Sequence, residues 1–280
     1  MTDMYTQTID YFIKAAVTKT AELRDNPWGF LAGSLAGGAY VGLGIILIFS
    51  VGAHLPASVQ KLAMGLTFAI ALILVVIAGA ELFTGYAMYM MLARLAHRVT
   101  RGEALRAMLV CWVGNLVGAV LVAALFAIGG ANGLLEEPHS LVMEVAHAKM
   151  SASPLALLAR AVLCNWLVCL ALWMSGRVDS DVAKCMVIFW CLLAFIASGF
   201  EHSVANMTLL SLAVIGHHGD PATVASALYN LAMVTVGNLV GGGVMVAGIY
   251  WLADGRRRLG TAAADSAGGL GAPGADGVGS

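Results

Sequence analysis

Six apolar stretches, at about 27–53, 62–93, 107–130, 154–175, 183–215 and 227–252, dominate this chain, and each can cover a hydrocarbon core that needs ~20 helical residues. Of its 280 residues, 60% are hydrophobic and 11% charged, too little polar surface for a soluble globule of this size. The bilayer is therefore the expected solvent, and an all-α membrane protein with six spans the expected fold. A net charge of -1 without a clustered basic run sets nucleic acid aside as a partner. Cys111, Cys164, Cys169, Cys185 and Cys191 all lie in apolar runs without a CxxC pair, and read as small packing hydrophobes. No metal or cofactor is expected, and His217 and His218 read as loop residues rather than as a metal site.

Three regions follow. Residues 1–25 carry helical apolar spacing opposite Asp10, Lys14, Thr18 and Glu22, which predicts a cytoplasmic amphipathic helix lying on the membrane or packed under the bundle. Asn26 and Pro27 then read as the cap and first turn of a new helix, which opens a transmembrane unit over 26–252. Residues 253–280, rich in Gly and Ala, are expected to form a disordered cytoplasmic tail. Twelve Lys and Arg fall on the side of both termini, and only Lys61, Lys149 and Arg160 on the other, so both termini are expected in the cytoplasm.

The string VGNLVG stands at Val113–Gly118 in the third span and again at Val236–Gly241 in the sixth. Gly79-Ala80-Glu81 and Gly199-Phe200-Glu201 echo each other at nearly the same offset. Two copies of a three-helix unit must run in opposite orientations, an arrangement that places substrate paths at mid-membrane. The second and fifth stretches are too long for straight helices across a ~30 Å core, so breaks are expected at Glu81–Gly85 and Gly199–Ser203. Irregular backbone at that depth lines cavities, and a restarting helix aims N–H groups at them.

Ionisable groups at that depth mark pathways. Glu81 and Glu201, candidate pathway residues at equivalent repeat positions, are expected to accept backbone N–H bonds in their irregular loops, with a direct proton-relay role as the alternative. His202, able to donate a hydrogen bond and to change charge, is the candidate pathway residue. Lys149 reads either as a solvated loop lysine or as a cation at a vestibule mouth, and Asn165 as a polar residue facing the protein interior or the pore.

The motifs AGAELFTG (78–85), LCNWLVCLA (163–171) and ASGFEHSVANMT (197–208) resemble the formate/nitrite transporter family, its nitrite-channel branch most closely, from about Asn26 to Trp251. The resemblance implies an aquaporin-like homopentamer in the bacterial inner membrane with one pore per protomer. It also implies that Thr84 faces His202, and that Lys149 and Asn165 attract and meet the anion. Phe68, Leu72 and Phe195 would form a constriction on the cytoplasmic side, and Leu82, Phe83 and Val168 one on the periplasmic side. The expected function is passage of a small monovalent anion, nitrite before formate or hydrosulfide, with hydrogen bonding or proton transfer from His202. Two rivals fit less well: a neutral-solute aquaporin-type pore would show NPA motifs, and an intramembrane hydrolase on Glu201 and His202 would show HExxH or GxSxG.

Overall fold

The computed structural model describes residues 3–137, 139–216 and 223–254. The expected tail from 255 onward and the pair His217 and His218 lie outside them. The described residues are almost entirely helical: α1 (Asp3–Asp25), α2 (Pro27–Gly52), α3 (Ala57–Gly79), α4 (Phe83–Leu95), α5 (Arg101–Ile128), α6 (Leu141–Met150), α7 (Pro154–Ser175), α8 (Asp181–Ala197), α9 (Ser203–Ile215) and α10 (Val224–Ala253). Five of these, α2, α3, α5, α7 and α10, are individually long and apolar enough to cross a membrane. The remaining crossing is composite: α8 runs in, breaks, and continues as α9, while α3 continues past its own break as α4. Six crossings result, as expected.

Side-chain caps fix where the helices begin. Asn26 accepts the Gly29 N–H ahead of Pro27. Thr100 and Glu103 form a reciprocal capping box. That box starts α5 two turns before the apolar run, which is why the third stretch is longer than its hydrophobicity indicates. Ser140 caps α6, a helix inside what reads from sequence as an external segment; its buried face of Val142, Met143, Ala146 and Met150 has helical spacing.

The breaks have one design. Gly79 (φ +81°) and Gly199 (φ +70°) adopt left-handed backbone that a side chain would strain. Beyond each, a bond closes back over five residues, from Ala80 N–H to Val75 O (2.9 Å) and from Phe200 N–H to Phe195 O (3.1 Å). The chain then extends, and helix resumes at Phe83 and at Ser203. The first break therefore falls at Ala80–Leu82, earlier than the expected Glu81–Gly85, because the Thr84 and Gly85 backbone is already helical.

The repeated string packs helices closely. Gly114 and Gly118 of α5 lie against α2, and Gly237 and Gly241 of α10 against α7. Helix α1 turns Ile9, Phe12, Ile13, Ala16 and Leu23 inward and packs under the bundle, where Phe12 stacks on Tyr89 (ring centroids 5.1 Å) and Trp173 (5.9 Å).

Candidate functional site

Both broken crossings bring their loops to the middle of the bundle, and His202 and Thr84 meet there. His202 is the N-cap of α9 and 4% exposed; Thr84, in the first turn of α4, is fully buried. His202 Nε2 lies 3.1 Å from Thr84 Oγ1. Its other nitrogen, Nδ1, accepts the backbone N–H of Ala205 (3.1 Å). A backbone amide can only donate, so Nδ1 is an acceptor and the ring proton sits on Nε2, which donates to Thr84 Oγ1. The Thr84 hydroxyl keeps its own proton to offer elsewhere.

His202 lines an otherwise apolar chamber that Thr84 does not itself line. That chamber, of only about 10 Å³, is lined by Val41, Phe68, Ala71, Leu72, Leu82, Val168, Leu192, Phe195 and His202. That volume is room for about one water. Phe68 and Phe195 meet edge to face (5.5 Å), and the Phe195 ring lies nearly parallel to His202 (5.9 Å, 13°).

A wider cavity lies on each side. One, of about 140 Å³, is lined by Lys61, Lys149, Phe195 and His202 among others; the second, of about 580 Å³, by Lys19, Glu81, Leu82, Tyr86 and Tyr89. Phe195 thus divides the chamber from the Lys149 side and Leu82 divides it from the Lys19 side, the reverse of the expected assignment, in which Phe195 faces the side of the termini. The cause is the folding-back at the breaks. Helix α3 starts in the loop after α2 and brings Phe68 in from the Lys149 side, whereas Leu82 lies beyond the turn. Phe83 lines none of the three cavities; it is buried in the core with its N–H bound to Asn115 Oδ1 (2.9 Å). Asn165 lines none of them either. It stands behind Thr84 and donates to the Thr84 carbonyl at 3.0 Å.

The glutamates also differ from expectation. Glu201 is 1% exposed, and its Oε2 accepts Lys149 Nζ (2.8 Å) and Asn206 Nδ2 (2.6 Å). Glu81 accepts Lys19 Nζ from α1 and the Tyr86 hydroxyl (2.8 Å). Their carboxylates serve side chains, because the loop backbone is already satisfied by two asparagines. Asn115 accepts Phe83 N–H and donates to the carbonyls of Glu81 (2.8 Å) and Ser34 (2.6 Å). Asn238 accepts Ser203 N–H (2.8 Å) and donates to the carbonyls of Glu201 (2.9 Å) and Ala161 (2.8 Å). These are the two asparagines of the repeated VGNLVG strings. A polar residue held at one place in both copies was the signal that could have assigned them.

Lys149 lies at a vestibule, paired rather than solvated. Removing it leaves the Glu201 carboxylate buried without a counter-charge, which costs about 3–5 kcal/mol. Lys149→Met is therefore expected to lower thermal stability sharply, and adding Glu201→Gln to restore most of it; unfolding scans in detergent check this. The corresponding loss at Lys19, whose partner Glu81 is more exposed (side chain 13% against 1%), should be smaller.

The profile of the formate/nitrite transporter family matches residues 6–252. The chain is 49% identical to the nitrite transporter NirC of Salmonella typhimurium over 250 residues, 89% of this chain and 92% of that protein. It is 30% identical to the formate channel FocA of Escherichia coli over 270 residues, covering 87% and 94%. Among solved structures it superposes on an FNT family ion channel with TM-score 0.86 and 49% identity, over 89% of this chain and 99% of that one. A pentameric formate channel with formate bound gives TM-score 0.67 at 30% identity, over 85% and 97%.

Proposed function

This chain belongs to the formate/nitrite transporter family, and from that premise we propose that it forms a homopentameric channel of the bacterial inner membrane, both termini cytoplasmic, that passes nitrite through each protomer. It is a multi-pass membrane protein whose named relatives are transporters and channels; we read it as conducting its substrate rather than converting it. The observation that carries the reading is one polar side chain, His202, in an otherwise apolar chamber between two lysine-bearing vestibules, with the Thr84 hydroxyl 3.1 Å from its Nε2.

A bare anion is costly to move through an apolar slit, and its neutral acid is not. Desolvation favours the protonated form of a weak acid, so nitrite becomes a better proton acceptor as it leaves the vestibule. Lys149 and Lys19, each balanced by a glutamate, offer the entering anion an N–H donor on either side rather than a net positive charge. Between the constrictions the Thr84 hydroxyl, with its oxygen held by His202 Nε2–H, offers its proton to the substrate oxygen. His202 thereby acts as a neutral hydrogen-bond donor. A second ring proton would set an Nδ1–H against the Ala205 N–H, donor against donor. The proton that neutralises nitrite then comes from vestibule water, whose hydroxide stays on the entry side, not from the imidazole.

The test is nitrite uptake into proteoliposomes followed with an internal pH dye, with glycerol as the neutral comparison. Nitrite entry is expected to acidify the lumen and glycerol to be excluded. The rate should fall steadily with rising pH, following the protonated fraction of the substrate, without a separate step from an imidazole. Glycerol flux without nitrite flux would move the protein to the neutral-solute class. Formate or hydrosulfide conducted in place of nitrite would move it to another branch of the family.

A further inference from the structure

Thr84 and His202 belong to different repeats, so their 3.1 Å contact depends on how the two repeats are held together. A continuous line of hydrogen bonds runs behind it. Asn165 Nδ2 donates both to the Thr84 carbonyl (3.0 Å) and to the Asn238 carbonyl (2.6 Å). The Asn238 side chain grips the residues on either side of His202, accepting from Ser203 N–H and donating to Glu201 O. Thr84, Asn165, Asn238 and His202 therefore close a ring, and both asparagines are fully buried.

The repeat shows that this link is special to one side. Ser34 and Ala161, the carbonyls bound by the two clamp asparagines, lie 127 residues apart, and the same offset carries Asn165 onto Gly38. Gly38 sits against the Asn115 carbonyl, where a Cβ would come within 1.9 Å. The first repeat thus has no side chain at this position, whereas the second extends an amide from it across to Thr84. The residues bound by the Asn115 side chain, Ser34, Glu81, Phe83 and Cys111, all lie in its own repeat.

We propose that Asn165 and Asn238 are positioning residues for anion passage: together they form a bracket that sets the distance between the Thr84 hydroxyl and the His202 imidazole. The proposal rests on the channel reading above. A hydroxyl–imidazole bond at 3.1 Å is already near the long end of useful geometry, and a shift of about half an ångström abolishes it. The bracket residues touch no substrate; their effect passes through the pair in front of them.

The test is a double-mutant cycle on nitrite uptake in proteoliposomes with Asn238→Ala, Thr84→Val and the combination. Each single change is expected to lower the rate about tenfold, the worth of one hydrogen bond to a charged group, and the double variant to be no slower than the slower single one. Losses that multiply to about a hundredfold would overturn the bracket, because a general packing defect would add to the loss of the Thr84 hydroxyl. So would wild-type uptake by Asn238→Ala. If Asn238→Ala does not assemble, Asn165→Asp takes its place in the cycle: it keeps the side-chain shape and replaces the amide donor, and the same two outcomes decide. Wild-type protein that carries no anion would instead overturn the channel reading, so the two failures are distinguishable.

Discussion

Replacing His202 by phenylalanine is expected to lower nitrite uptake by about 10- to 100-fold while leaving the protein folded. The ring volume is nearly kept, and phenylalanine can occupy the place where the imidazole lies parallel to Phe195 at 5.9 Å. What disappears is the one polar group that lines the apolar chamber, together with the Nε2–H that holds the Thr84 hydroxyl oxygen. A hydrogen bond to a charged partner is worth ~1.5–3 kcal/mol, and each 1.36 kcal/mol of barrier is a factor of ten. The substitution also removes the cap on Ala205 N–H, at a cost of about 1 kcal/mol of stability. His202→Asn separates the two effects, since asparagine is a good N-cap but lacks the reach of the imidazole. Uptake should fall in both variants, and stability only in the phenylalanine one. Unchanged rate and pH dependence in His202→Asn would remove the residue from the mechanism.

What the sequence makes legible is what depends on local chemistry or on repetition. The spans follow from length and apolar content, the breaks from polar residues inside runs too long for the bilayer, and the inverted repeat from VGNLVG. His202 stands out because an imidazole at that depth has few structural uses. Three things are not legible, each for a physical reason. The clamp roles of Asn115 and Asn238 arise only when a loop 34 or 37 residues away folds back onto them. The cationic partners of Glu81 and Glu201 come from α1 and α6, so two lysines on peripheral helices enter the site through tertiary packing alone. The sides of the constrictions depend on which way each broken crossing turns, which one-dimensional order does not encode. Asn165 is a mixed case: its burial is readable, but whether its amide faces the pore or braces the wall behind it is decided by where the Thr84 carbonyl points.

Gly118→Ala is expected to prevent assembly of the folded protein, although it adds a single methyl group in the middle of a helix that alanine itself favours. A Cβ at Gly118 would lie 2.0 Å from the Leu35 carbonyl oxygen and 2.9 Å from the Ala39 nitrogen, all backbone of α2. Backbone cannot swing aside as a flexible side chain can, so α2 and α5 must move apart along their whole contact. That motion would also pull Asn115 away from the Ser34 and Glu81 carbonyls, leaving buried polar groups unpaired at ~1–3 kcal/mol each on top of the packing loss. Gly241→Ala, its repeat counterpart, meets the Val162 carbonyl at 2.4 Å and should fail in the same way through α7 and Asn238. Gly102→Ala is the control: it sits in the first turn of the same α5 with nothing within 4 Å of its Cβ, and should be neutral or stabilising by up to about 1 kcal/mol. Size-exclusion profiles in detergent, with thermal unfolding of whatever elutes intact, read all three. A well-behaved Gly118→Ala protein would mean that the close helix approach is not what fixes the asparagine clamp, and the link from repeated motif to broken helix would have to be sought elsewhere.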